Sequence, residues 1–189
     1  MRLVPVIDLL RGQVVRARRG DRQSYRPIES ALCRSCEPLV VARKLCDHVG
    51  SSCLYLADLD AIQGRPAQAG AVAALLDGLP SVQLWIDAGF GDRADAETWL
   101  ATLTGIAGGQ PPGERVLPVF GSESLRSREA LQQCFAPPAR GILSLDRRHG
   151  QPLDPAGCWN APALWPERLI VMTLDRVGCL LYTSPSPRD

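Results

Sequence analysis

Short apolar runs punctuate this 189-residue chain at fairly regular intervals. They are RLVPVID (2–8), SCLYLADLD (52–60), SVQLWIDAG (81–89), ERVLPVFG (114–121), RGILSLD (140–146) and RLIVMTLD (168–175). Most are nearly continuous rather than alternating, the pattern of strands covered on both faces. Between them lie amphipathic or Ala/Leu-rich stretches that predict helices over 37–50, 69–80, 93–106 and 122–134. The first has Pro38 near its start and Gly50 at its end, as helix termini favour. This alternation predicts βαβ units around a parallel sheet. The first gap is longer, and residues 12–30 predict a short hairpin followed by an extended loop.

The predicted strands also end alike. Asp8, Asp58 and Asp60, Asp87, Gly121, Asp146 and Asp175 stand at or just past their carboxyl ends. That is where α/β proteins place ligands. A single Asp there serves equally well as a helix cap, but a ring of them points to a site. Six units are visible, whereas a closed (β/α) barrel has eight.

Composition narrows the functional classes. The length suits one domain with a proper core, and the net charge is +1. No basic cluster is large enough for nucleic acid; the densest, RARRGDR (16–22), suits a solvated loop or a small-anion site. No apolar run approaches the roughly 18 residues of a membrane span. The opening MRLVPVIDLL lacks the charged region, long apolar region and small-residue cleavage site of a signal peptide, so a cytoplasmic location is expected. Seven cysteines include one C-x-x-C, Cys33 and Cys36, with no second pair and only His48 and His149 in the chain. A structural zinc site needs four ligands, so reduced, partly buried thiols are the better reading and no metal is expected.

Several of these runs carry a family likeness. VPVIDLLRGQVVRARRGD, LYLADLDAIQG, VFGSESL and LSLDRRHGQP together resemble the phosphoribosylformimino-aminoimidazole carboxamide ribotide isomerases, histidine-biosynthesis enzymes built on a (β/α)₈ TIM barrel. The resemblance covers nearly all of residues 2–178. It implies an Amadori rearrangement of an aminoaldose to an aminoketose on a phosphorylated small-molecule substrate, without metal or organic cofactor. On the matching positions Asp8 is the base and Asp146 the acid, a pairing that needs one carboxyl ionised and the other protonated. Arg16 matches a substrate-contacting Arg, and Gly121 and Ser122 match a turn whose amides approach a phosphate. Gly89, Arg176 and Gly178 match further substrate positions.

The chain also departs from the family. Its third strand ends DAGFG where the family has a Gly-Gly-Gly-Ile-Arg type run, so Asp87 brings negative charge beside an expected phosphate and Gly91 replaces the Arg. In the sixth, MTLDRVG, Met172 and Val177 stand where the family has Thr and Asp. These changes point to an isomerase-related branch with an altered substrate, one such group being associated with methanopterin-type one-carbon metabolism. A non-catalytic barrel that binds a phosphorylated ligand is the alternative.

The last residues, CLLYTSPSPRD (179–189), read as an in-frame translation of a transposase sequencing adapter. The expected organisation is therefore an incomplete barrel over 1–178, truncated after about six βα units, with a non-native tail over 179–189. Such a fragment is expected to be inactive and aggregation-prone. Sequencing the source DNA with long reads across the codons for Cys179 to Asp189 checks this; the expected outcome is a frame that continues past Gly178 into further βα units.

Overall fold

All six apolar runs form strands. The computed structural model describes residues 3–17 and 24–178. Its strands are β1 (Val6–Leu10), β2 (Gln13–Arg16), β3 (Arg26–Pro27), β4 (Cys53–Asp58), β5 (Gln83–Asp87), β6 (Val116–Gly121), β7 (Ile142–Arg148), β8 (Gln151–Pro152) and β9 (Leu169–Thr173). The helices are α1 (Pro38–Val49), α2 (Leu59–Ile62), α3 (Ala69–Gly78), α4 (Arg93–Ile106) and α5 (Arg128–Phe135).

β1, β4, β5, β6, β7 and β9 pair in parallel, each with the next. β2 and β3 extend the β1 edge as antiparallel strands, and β8 folds back on the end of β7. This is an α/β fold of the (β/α)-barrel type with six parallel strands in chain order. Among the described residues β1 and β9 do not pair with each other, and Val6 and Val171, on these two strands, remain 54% and 58% exposed.

Both faces of the sheet are apolar, which is why the strands lack alternation. Ile7, Leu54, Leu56, Leu84, Ile86, Phe120, Leu143 and Leu145 pack towards the helices. Tyr55, Ala57, Leu117, Val119 and Ile142 pack on the concave face, with Trp85, Ile170 and Met172 against them. Period-two geometry then places Asp8, Asp87, Gly121, Ser144 and Asp146 on this same concave face.

Helix ends follow local chemistry. Glu37 caps α1 by accepting from the Leu39 and Val40 amides, and Gly50 closes it in the left-handed conformation at φ 63°. α5 is shorter than expected, starting at Arg128 rather than at Ser122. The six residues before it are held as a turn, with the Ser124 and Leu125 amides returning to the Gly121 carbonyl, and Ser127 supplies the cap. Among the described residues no α-helix follows β8. Asp154 accepts from the Cys158 and Trp159 amides, and Gly157, Pro155 and Pro162 restrict this stretch to 3-10 turns over Cys158–Asn160 and Pro162–Leu164. The tail over 179–189 and much of the Arg-rich loop, residues 18–23, lie outside the described residues.

The β1–β2 hairpin turns through Arg11 and Gly12, both at positive φ, as a two-residue loop demands. Asp60, almost buried, ties it down by accepting the Arg11 amide at 2.7 Å and pairing with the Arg65 guanidinium at 2.6 Å. Asp60→Ala leaves both donors without their acceptor inside the fold. Urea unfolding should show a loss of about 2–3 kcal/mol.

Candidate active site

Three carboxyl groups reach the concave face near the carboxyl ends of the strands. Asp8 on β1 pairs in register with Ala57 on β4, which pairs with Asp87 on β5. These three positions therefore form one row across the sheet. Asp146 stands near the end of β7, beside Met172 of β9.

Asp146 is only 4% exposed. Its Oδ1 accepts the Ser144 hydroxyl at 2.6 Å, and Oδ2 faces the Glu123 amide at 3.4 Å. Its backbone N–H donates to Ser122 Oγ at 2.9 Å. Burial raises the pKa of the carboxyl to about 7, with the Asp87 and Glu123 charges adding to the rise and the Ser144 hydroxyl opposing it. A group of this kind can be protonated near neutrality and still give up its proton. Gly121 is what leaves room for it: a Cβ there would lie 3.0 Å from Asp146 Oδ2.

Asp87 is held in place. Its Oδ2 accepts the Tyr55 hydroxyl at 2.8 Å and its Oδ1 the Gly89 amide at 3.1 Å. Tyr55 rises from the layer below, and its hydroxyl proton is held more tightly than usual, first through burial and then through the charges of Asp87, Asp146 and Asp8. The same phenol thus senses all three carboxyl groups.

The other predicted positions divide. Ser122 is fully buried, and both its polar groups are engaged within the fold: the amide donates to Ser144 O at 2.7 Å, the hydroxyl to Leu153 O at 2.8 Å. Gly89, at φ 71°, allows the chain to pass close to Ile62. Gly178 lies against the Ala17 carbonyl, where any Cβ would overlap it, so the turn after β9 meets the end of β2 beside exposed Arg16. Arg176 is exposed in the 3-10 turn after β9. Gly91 packs under Arg126, whose guanidinium is shared between Asp92 and Asp95.

Of the remaining strand-end acids, Asp58 caps α2 through the Asp60 and Ala61 amides and also accepts the Gln68 amide. Asp175 accepts from the His149 amide, and its other carboxylate oxygen lies 3.1 Å from the His149 ring Nδ1. Those two and Asp60 hold the fold. Tyr55 and Ser144 were not singled out in the sequence; Ser144, two residues before Asp146 on a strand, could have been found by period two alone.

Among the described residues no group of three or more His, Cys, Asp and Glu side chains could hold a metal ion. Cys33 and Cys36 are partly exposed free thiols, and burial pushes those of Cys134 and Cys158 up to about 12. No helix among the described residues is long and apolar enough to cross a membrane.

The family model described as Histidine biosynthesis protein matches residues 2–151. That span contains Asp8, Arg16, Gly89, Gly121, Ser122 and Asp146; Arg176 and Gly178 lie beyond it. An uncharacterized protein of Methanocaldococcus jannaschii is 33% identical over 154 residues, 82% of this chain and 60% of its own. The 1-(5-phosphoribosyl)-5-((5-phosphoribosylamino)methylideneamino) imidazole-4-carboxamide isomerase of Granulibacter bethesdensis is 34% identical over 150 residues, 78% of this chain and 54% of its own. The isomerase of the same name from Cellvibrio japonicus is 28% identical over 193 aligned positions, 97% of this chain and 69% of its own. The chain thus spans about half the length of the first curated relatives it matches.

The raised pKa has a consequence for stability. The folded state holds the Asp146 proton up to about pH 7, whereas the unfolded chain releases it near the ordinary value of 3.8. Its contribution is therefore fully present below the lower value and is lost as pH rises through the upper one. In denaturant titrations, Asp146→Asn should remove that decline and gain on the order of 3 kcal/mol relative to the parent at alkaline pH.

Proposed function

The chain belongs to the Histidine biosynthesis protein family, and on that premise we propose that the whole protein is an aminoaldose–aminoketose isomerase of histidine-biosynthesis type. The observation that carries this reading is Asp146, a buried carboxyl protonatable near neutrality on the same concave face as Asp8. In the reaction Asp146 donates its proton to the ribose ring oxygen, the ring carbon–oxygen bond breaks, and an imine forms at C1. Asp8 then takes the proton from C2 to give an enaminol, which gains a proton at C1 from Asp8 as its C2 hydroxyl gives one up to the ionised Asp146, leaving the aminoketose. The substrate is the phosphoribosylated imidazole carboxamide for which the Granulibacter relative is named. Arg16, Arg176 and the backbone at Gly89, Gly121 and Gly178 are the positions assigned to substrate and phosphate, while Ser122 braces the turn.

A second reading is an isomerase-related protein for another phosphorylated substrate, such as one of one-carbon metabolism. It is favoured by Asp87 at the end of β5 and by Met172, which puts a thioether beside Asp146. A barrel that binds such a ligand without converting it fits the same two residues.

Among the described residues β1 and β9 do not pair with each other, and we assign turnover to the whole protein. Expression of the whole protein should rescue a histidine auxotroph that lacks this isomerase, and the purified protein should convert the aminoaldose. Asp8→Asn and Asp146→Asn should each lower kcat by about 10²–10⁴-fold with the fold intact. Tight binding of the substrate without conversion would decide for the ligand-binding reading, and conversion of a different phosphorylated sugar for the second.

A further inference from the structure

The Cys33 and Cys36 pair has no part in the reaction just described, and its setting differs from that of the other described cysteines. Cys46, Cys53, Cys134 and Cys158 are buried. Burial is the first cause that pushes up the thiols of Cys46, Cys134 and Cys158, which keeps their sulfurs protonated and unreactive. Cys33 and Cys36 are instead free and partly exposed, with only Arg34 and Ser35 between them, in the loop from β3 to α1.

That loop is closed at its base and unanchored above it. The Ile28 amide donates to the Val14 carbonyl at 2.9 Å, and the Val14 amide donates to the Cys36 carbonyl at 2.8 Å. One buried residue of β2 therefore holds both ends of the segment. Between those two anchors, among the described residues, no backbone hydrogen bond leads to another element; the Leu32 amide turns to Ser30 Oγ within the loop itself. The chain also bends at Arg34, between the two cysteines. Three fully extended residue steps span about 10 Å, whereas a disulfide needs its Cα atoms within about 7 Å. A bend at this place shortens the first distance towards the second. Cys36 is fixed through its carbonyl, and Cys33, which packs partly against the main core, lies on the part without outside bonds.

We propose that Cys33 and Cys36 form a thiol–disulfide exchange site for small disulfides of the glutathione class, closing reversibly into a disulfide that ties the crown of this loop to its Val14-held base. The inference goes beyond the isomerase reading and does not depend on it. In the first step one cysteine thiolate, its proton released to solvent, attacks a sulfur of the small disulfide; that sulfur–sulfur bond breaks, a mixed disulfide forms and one small thiolate leaves. The second cysteine thiolate then attacks the protein sulfur of the mixed disulfide, and the other small thiolate leaves. Two protein thiols are thereby oxidised, the small disulfide is reduced to two thiols, and the two released protons are taken up by them.

Tryptic mapping tests this directly, because cleavage after Arg34 puts the two cysteines on separate peptides, 23–34 and 35–43. The folded 189-residue chain is incubated with oxidised glutathione, trapped with N-ethylmaleimide and digested without reductant. Peptides 23–34 and 35–43 should be found joined and lighter by two hydrogens, and should separate after reduction. The four buried cysteines should carry neither glutathione nor a disulfide, and should react only once the chain is unfolded in urea. In Cys33→Ser the exchange should stop at glutathione on Cys36, and in Cys36→Ser at glutathione on Cys33.

Peptides 23–34 and 35–43 emerging apart from the oxidised parent overturn the proposal, whether they carry glutathione or maleimide. Either peptide joined instead to 177–188, which carries Cys179, overturns it as well. Equal modification of the buried four in the folded chain overturns the selectivity on which it stands. The parent alone decides these outcomes, so none of them depends on a variant that folds.

Discussion

The arrangement of the site depends on one costly act, the removal of the Asp146 carboxyl from water. A carboxylate at 4% exposure pays for its position in proton affinity, and the surroundings decide how far. Ser144 relieves part of the cost with a hydroxyl at 2.6 Å, while Asp87 and Glu123 add to it. The balance leaves a group that is neither a permanent anion nor a permanent acid at neutral pH. Everything else near it is shaped by this. Gly121 is bare so that the carboxyl fits, and Ser122 gives up both its polar groups to hold β6 and β7 in line beneath it.

The parallel sheet makes such burial possible. Its strands are apolar on both faces, so a polar group at a strand end is surrounded by hydrocarbon from below and by loop backbone from above. The same architecture separates the acids by role. Asp58 and Asp60 point into the backbone of their own loops and are consumed there, capping α2 and pinning the β1–β2 turn. Asp8, Asp87 and Asp146 occupy concave-face positions, and after burial their charges add to the hold of the Tyr55 phenol on its proton.

Much of the fold was legible in the sequence, and for identifiable reasons. Continuous apolar runs mark strands covered on both sides, and Pro38 with Gly50 bracketed α1 closely. The region before α5 was not legible. Ser122 to Ser127 has helix-compatible composition, and the Ser124 and Leu125 amides return to Gly121 as in one helical turn, but the Ser122, Glu123 and Arg126 amides are captured by Ser144, Asp146 and Gly91, far away in the chain. The stretch after β8 was equally silent, because Asp154 and the surrounding prolines specify tight turns rather than a periodic element.

By itself the sequence determined the order of strands and helices, the parallel character of the sheet and the family to which the chain belongs, since all three are written in local periodicity and short motifs. From the acids at strand ends it also singled out Asp8 and Asp146, through the family resemblance. Only the tertiary structure decided which of the strand-end acids share a face, that Ser122 braces the fold from the inside, and that Tyr55 donates to Asp87. The reason is physical: proton affinity and hydrogen-bond partnership depend on burial and on distances between residues far apart in the chain, and neither is a property of a position in the sequence.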